Sequence, residues 1–71
     1  MNRVLPHVEM MGSFYVATFE TDKGPKQYIV EIEKDGSLSI KNWATRRPVA
    51  ASTYAKIHMK IRVALDDHSR N

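Results

Sequence analysis

Two adjacent guanidinium groups, Arg46 and Arg47, carry the clearest chemical potential in this 71-residue chain. They stand between Thr45, a good helix N-cap, and Pro48, a residue tolerated in the first turn of a helix. At a helix start they would face unpaired backbone N–H groups. Two guanidinium forks beside free N–H groups make a site for phosphate or carboxylate. The position also breaks a rule. A helix N-terminus carries partial positive charge, so a base there costs about 0.3–1 kcal/mol. Asp66 and Asp67, near the far end of the same segment, have the wrong sign as well. Departures of this kind tend to mark function. The plain alternative is that both pairs are solvated and the helix ends before Asp66.

Other cations extend the pattern. Lys56 and Lys60 lie four residues apart and so share one helix flank. With Lys41, Arg46 and Arg47 they would form a basic edge able to track a phosphate backbone. From Gly36 to Leu65 there is no Asp or Glu. Residues 1–35 carry four bases and six acids, whereas residues 36–71 carry seven bases and two acids, within a formal net charge of +3. An asymmetry between halves speaks of partners, not of fold. Trp43, beside this window, is a candidate for stacking on a base or anchoring a protein contact. Met59 and Val63, one turn apart on the outer helix face, are candidates for a dimer or partner contact.

Catalytic constellations are missing from the sequence. His7, His58 and His68 are scattered and have no carboxylates at metal-ligand spacing. Glu31 and Glu33 fit an exposed strand face, balanced by Lys41 across the sheet, better than acid–base work. There is no Ser-His-Asp order, phosphate-binding Gly loop or zinc motif. Neither an enzyme nor a cofactor is expected. The chain has no cysteine, which removes disulfides and thiolate chemistry and fits a reducing, cytoplasmic setting. Its longest apolar run is a few residues, so neither a signal peptide nor a membrane span is expected.

The elements that must position these residues can be read from periodicity. Ser13–Thr21 is rich in aromatic and β-branched residues and reads as a strand. Thr21-Asp22-Lys23-Gly24-Pro25 is turn chemistry. Lys26–Lys34 alternates, with Tyr28, Val30 and Ile32 on one face. Asp35-Gly36 signals a hairpin into Ser37–Trp43, which sends Leu38 and Ile40 inward and Ser39, Lys41 and Trp43 outward. Strand one cannot turn Phe14 and the Tyr15/Phe19 pair to the same face, and the sequence leaves open which lies outside. Residues 1–12 are ambiguous between an edge strand and a loop because Pro6 interrupts them. The remainder is helical, with Ala50, Tyr54, Ile57, Ile61, Ala64 and Leu65 in one stripe. The expected fold is α+β: a three-stranded antiparallel meander, four-stranded if the N-terminus joins, packed in two layers on one C-terminal helix. Residues 1–71 form one domain, with 1–12 and 67–71 its loosest parts. A core this small yields roughly 3–5 kcal/mol, so a partner or a second copy often assists.

With the stretch YIVEIEKDGSLSIKNWATRRPVAASTYAKIHMKIR, this three-strands-then-helix order resembles the plant AP2 and tyrosine-integrase arm-type class of three-stranded DNA-binding domains. Tyr28, Glu31, Ile32, Thr45, Ala50, Ala51 and Tyr54 match its pattern in order, with one insertion near Pro48, over about half of the chain. The resemblance implies DNA contact through the exposed sheet face. Glu31 and Glu33 would repel phosphate there, so no base-reading residue is carried over. Thr45-Arg46-Arg47 also echoes the basic helix start of double-stranded RNA-binding domains. The functional expectation is a small non-enzymatic module that contacts nucleic acid through Lys41, Trp43, Arg46, Arg47, Lys56 and Lys60. The alternative is a compact inhibitor or adaptor of the phage or mobile-element type that docks on an acidic or nucleic-acid-binding protein surface. A homodimer through Met59 and Val63 is compatible with either.

Overall fold

Turns set the register of the chain. In the computed structural model, which describes residues 5–70, five elements follow in order: β1 (His7–Met11), β2 (Phe14–Thr21), β3 (Gly24–Ile32), β4 (Leu38–Asn42) and α1 (Ala51–Ser69). The strands form one antiparallel sheet in the order β1-β2-β3-β4. The segment the sequence left open therefore supplies a fourth strand, with Val8 opposite Ala17 and Glu9 opposite Val16. Pro6 precedes that strand and so does not interrupt its hydrogen bonds.

The β3–β4 connection follows from Asp35 and Gly36. Asp35 Oδ1 accepts from the Ser37 backbone N–H at 3.0 Å and from the Ser37 hydroxyl at 2.7 Å. Gly36 takes φ of 89°, where a side chain would be strained. Between them the chain reverses and Glu33 N–H meets Ser37 O at 2.8 Å.

Alternation then sorts the sheet into two faces. Val8, Ala17, Tyr28, Val30, Leu38 and Ile40 form the core with Ile61 and Ala64 of the helix, while Tyr15, Phe19, Val49, Tyr54, Ile57 and Leu65 pack around it. The stripe expected from helical spacing thus faces the sheet, apart from Ala50. That residue is exposed and serves as the N-cap of α1. The helix touches β4 near its start and β1 near its end, so it crosses the sheet diagonally: the Tyr54 hydroxyl donates to Leu38 O at 2.9 Å, and Ala64 and His68 line one hollow with His7 and Val8. Ile32 has the inward parity of Val30 yet is 55% exposed, at the end of β3 where no β2 residue pairs with it.

The far face has no helix over it, yet Val16 and Ile29 are buried there. Phe14 belongs to this outer face, and its ring meets that of Trp43 at 6.5 Å. Register places Val16, Ile29 and Lys41 in one row between the Phe14 and Trp43 positions, so the two rings close diagonally over Ile29.

The open edge of β4 is covered by the chain itself. Asn42 N–H donates to Arg47 O at 2.8 Å and Lys41 bridges Pro48, so residues 47–49 run back along β4. A covered edge with a proline is a poor template for a foreign strand.

Candidate functional site

The helix does not begin where the sequence suggested. Thr45 is not its N-cap and Pro48 is not in its first turn. Ala50 occupies the cap, in an extended conformation, and the helix starts at Ala51. The competing structure is a turn built on Asn42, whose side-chain Oδ1 accepts from the N–H groups of Ala44 at 2.8 Å and Thr45 at 3.2 Å. Thr45 Oγ1 accepts from Arg47 N–H at 3.3 Å, inside the same loop. Asn42-x-x-Thr45 is the turn signal in the sequence that competes with a helix start at Thr45. At the other end, α1 runs through Asp66 and Asp67 to Ser69, and the wrong-sign Asp66 pairs with Arg70 at 3.3 Å. Both residues of that pair are exposed, so it adds little stability.

The loop divides the two arginines. Arg46 takes φ of 63°, the one non-glycine residue in the left-handed region among those described. Its Nε donates to Trp43 O at 3.0 Å, and its guanidinium carbon stands 4.8 Å from the Trp43 ring centroid. Arg46 therefore belongs to the outer sheet face, with half-buried Lys41 and Trp43. A hollow of about 210 Å³ lies beside Trp43, lined also by Lys26 and Gln27. Gln27 is held by its Nε2 donating to Thr18 Oγ1 at 3.3 Å.

Arg47 goes to the other side. It lines a hollow of about 280 Å³ with Lys26, Tyr28, Asn42, Ala50 and Thr53, at the start of α1. Helical spacing puts Lys56 and Lys60 on the same flank as Thr53, one and two turns further on. The six candidate residues thus form two groups around one end of the molecule: Lys41, Trp43 and Arg46 on the open sheet face, and Arg47, Lys56 and Lys60 on the helix side. Among the described residues none of these five cations is ion-paired. Lys26, which lines both hollows, is a member that the acid-free window hid, because it lies outside that window. Comparison of the chain with protein-family models, curated proteins and solved structures returned no match.

Acids share the open sheet face: Glu9 pairs with Val16 in the row of Lys41, and Glu20 stands two residues beyond Thr18 with the same outward parity. Glu33 lies past the end of β3, in the hairpin, and does not share the sheet face with Glu31. Glu31 pairs with Ser39, whereas Lys41 pairs with Ile29, so the expected Glu–Lys balance across the sheet is not formed. Glu9, Glu20 and Glu31 all have outward parity, so the repulsion foreseen for the sheet face stands. Asp35 lies in the β3–β4 hairpin. The Ser37 hydroxyl, and then the Ser37 backbone N–H, hold its carboxyl below the ordinary aspartate range.

His58 stacks on Tyr54, with ring centroids at 5.0 Å and Nδ1 3.0 Å from Tyr54 O, which makes it part of the packing at the helix flank. Among the described residues no group of three His, Asp or Glu side chains is disposed to hold a metal ion. Met59 is 58% exposed and Val63 39%, as their helical phase requires. Among the described residues no helix is long and apolar enough to cross a membrane.

Proposed function

We propose that this chain is a small non-enzymatic module that binds nucleic acid through the cationic end around the 42–50 loop. The observation that supports this reading best is the Phe14–Trp43–Arg46 arrangement on a sheet face no helix covers, with Lys41 in the adjacent row and Lys26 and Gln27 beside it. Aromatic rings and guanidinium planes next to unpaired cations stack on bases while neutralising phosphates, and both terms act without a sequence code. Arg47, Lys56 and Lys60 extend the positive field around the same end. Contact through an exposed sheet face is also what the resemblance to the AP2 and arm-type class implies.

The chain has a single tryptophan, Trp43, which makes it its own reporter. Titration with a single-stranded oligonucleotide is expected to quench its fluorescence, with an affinity that falls as salt rises by about 0.7 in logarithmic slope per phosphate contacted. Absence of binding to single-stranded and duplex DNA and RNA at low salt would end this reading.

The exposed Met59 and Val63 favour a second reading, a compact inhibitor or adaptor docked on an acidic or nucleic-acid-binding protein surface, or a dimer of this chain. Capture of a defined protein partner that survives nuclease, and is lost on Met59→Lys, would select it.

A further inference from the structure

The two outer edges of the sheet differ. Along β4 the chain folds back on itself, with Arg47 and Val49 bonded to Asn42 and Ile40. β1 is the other outer strand, and among the described residues nothing pairs with its free side. Met11 and Phe14 flank the two-residue turn Gly12-Ser13. In such a hairpin the flanking pair exchanges both backbone bonds, and that role falls to every second pair along the ladder. His7, Glu9 and Met11 therefore turn their N–H and C=O toward β2, whereas Val8 and Met10 turn theirs to the free edge.

This edge has little protection. β1 holds no Lys, Arg or Pro, and its register with β2 runs without a bulge. Met10 is 58% exposed and Met11 45%. Free backbone groups flanked by exposed apolar side chains are a template for another strand. The one formal charge on the strand, Glu9, decides which strand fits.

The segment is complementary to itself. Laid antiparallel to a second copy about a two-fold axis at Val8, residues 5–11 set Leu5 opposite Met11, Pro6 opposite Met10, His7 opposite Glu9 and Val8 opposite Val8. Both exposed methionines then meet apolar residues, and each Glu9 carboxylate faces an imidazole N–H donor. His7 and Glu9 are both exposed, and their backbone groups are engaged with β2. They would thus form the non-hydrogen-bonded kind of pair, in which side chains come closest. Moving the axis to Glu9 sets two carboxylates face to face, which is destabilising. Moving it to Met10 sets Val8 opposite Gly12, in the turn.

We propose that β1 pairs antiparallel with β1 of a second copy, with Val8 on the axis, to make one continuous sheet of four strands from each copy. The two Val8 residues exchange backbone bonds, and each Met10 N–H reaches the Pro6 carbonyl opposite. The axis stands perpendicular to the sheet, so both open faces lie on one side of the dimer. This contact is separate from Met59 and Val63 on the helix, and it does not depend on the nucleic-acid reading.

The test is sedimentation equilibrium of the full chain from low micromolar to millimolar concentration, with folding followed by circular dichroism. A mass that doubles with concentration is expected. Met10→Pro removes an N–H that β2 does not use and should leave a folded monomer. Glu9→Lys breaks two His7–Glu9 pairs at once and should weaken the dimer about tenfold. Adding His7→Glu to Glu9→Lys re-forms opposite charges across the axis and should restore it. Met59→Lys should leave it unchanged. A strict monomer at millimolar concentration overturns the proposal. So does a dimer indifferent to Glu9→Lys, one that the charge swap fails to restore, or one that Met59→Lys abolishes.

Discussion

Arg46 shows how one residue can be placed against its own preference. A left-handed backbone costs a side-chain-bearing residue about 1–2 kcal/mol, and the turn around Asn42 together with the stack on Trp43 holds it there. Arg46→Gly and Arg46→Ala both lose the stack, but only the alanine keeps the strain. The glycine variant is expected to be about 1 kcal/mol the more stable of the two in urea unfolding. Equal stabilities would mean that the loop adopts another conformation in solution. Asp35 gives a second prediction at this scale. Its folded pKa is depressed, so its contribution to stability is complete above the ordinary aspartate range and is lost as pH falls through the lower, folded value. Ser37→Ala removes the strongest of its hydrogen bonds and should move the Asp35 pKa, followed by carboxyl NMR, upward toward the ordinary value.

At the scale of elements, the informative boundary is the start of α1. The loop from Trp43 to Ala50 spends its polar groups on itself: Asn42 on the turn and Thr45 on Arg47. Nothing remains to cap the helix, and alanine sits where Ser, Thr, Asp or Asn would satisfy the first turn. Ala50→Asp is expected to raise stability by about 1 kcal/mol, read as a higher midpoint at unchanged urea dependence. The strands follow a simpler logic. Asp35-Gly36 and alternation were sufficient to place the β3–β4 hairpin, because hairpin chemistry acts over four residues and needs no distant partner, but β3 runs from Gly24 to Ile32 and not from Lys26 to Lys34, with Gly24 and Pro25 paired in the strand and not in the turn. The helix start is ambiguous in sequence because Thr45 and Asn42 are both capping residues, and which motif wins depends on where Arg47–Val49 can lie against β4.

Across the whole molecule, one helix covers one face of a four-stranded sheet, so few residues carry the fold. Ile61 and Val30 are the two largest side chains removed from solvent altogether, facing each other's layers. Ile61→Ala is expected to cost about 2–5 kcal/mol, comparable with the whole stability of a domain this size, and to leave the protein largely unfolded at 37 °C by circular dichroism. A folded, cooperative variant would show that the core is shared with a second copy or with residues outside 5–70. On the opposite face the Phe14 and Trp43 rings close over Ile29, so the proposed stacking side chains also serve stability.

The sequence by itself determined what short-range physics controls: the α+β class, three hairpin strands, the inward parity of the core residues, the phase of the helix and the outward position of Trp43. It also showed the uneven charge along the chain. Tertiary structure decided the rest. It joined His7–Met11 as a fourth strand, put Phe14 rather than Tyr15 on the open face, and sent Arg46 and Arg47 to opposite sides of the sheet. It also brought Lys26 and Tyr28 to the uncapped helix start. Those outcomes depend on contacts between residues distant in sequence, where packing and competing hydrogen bonds override local preference.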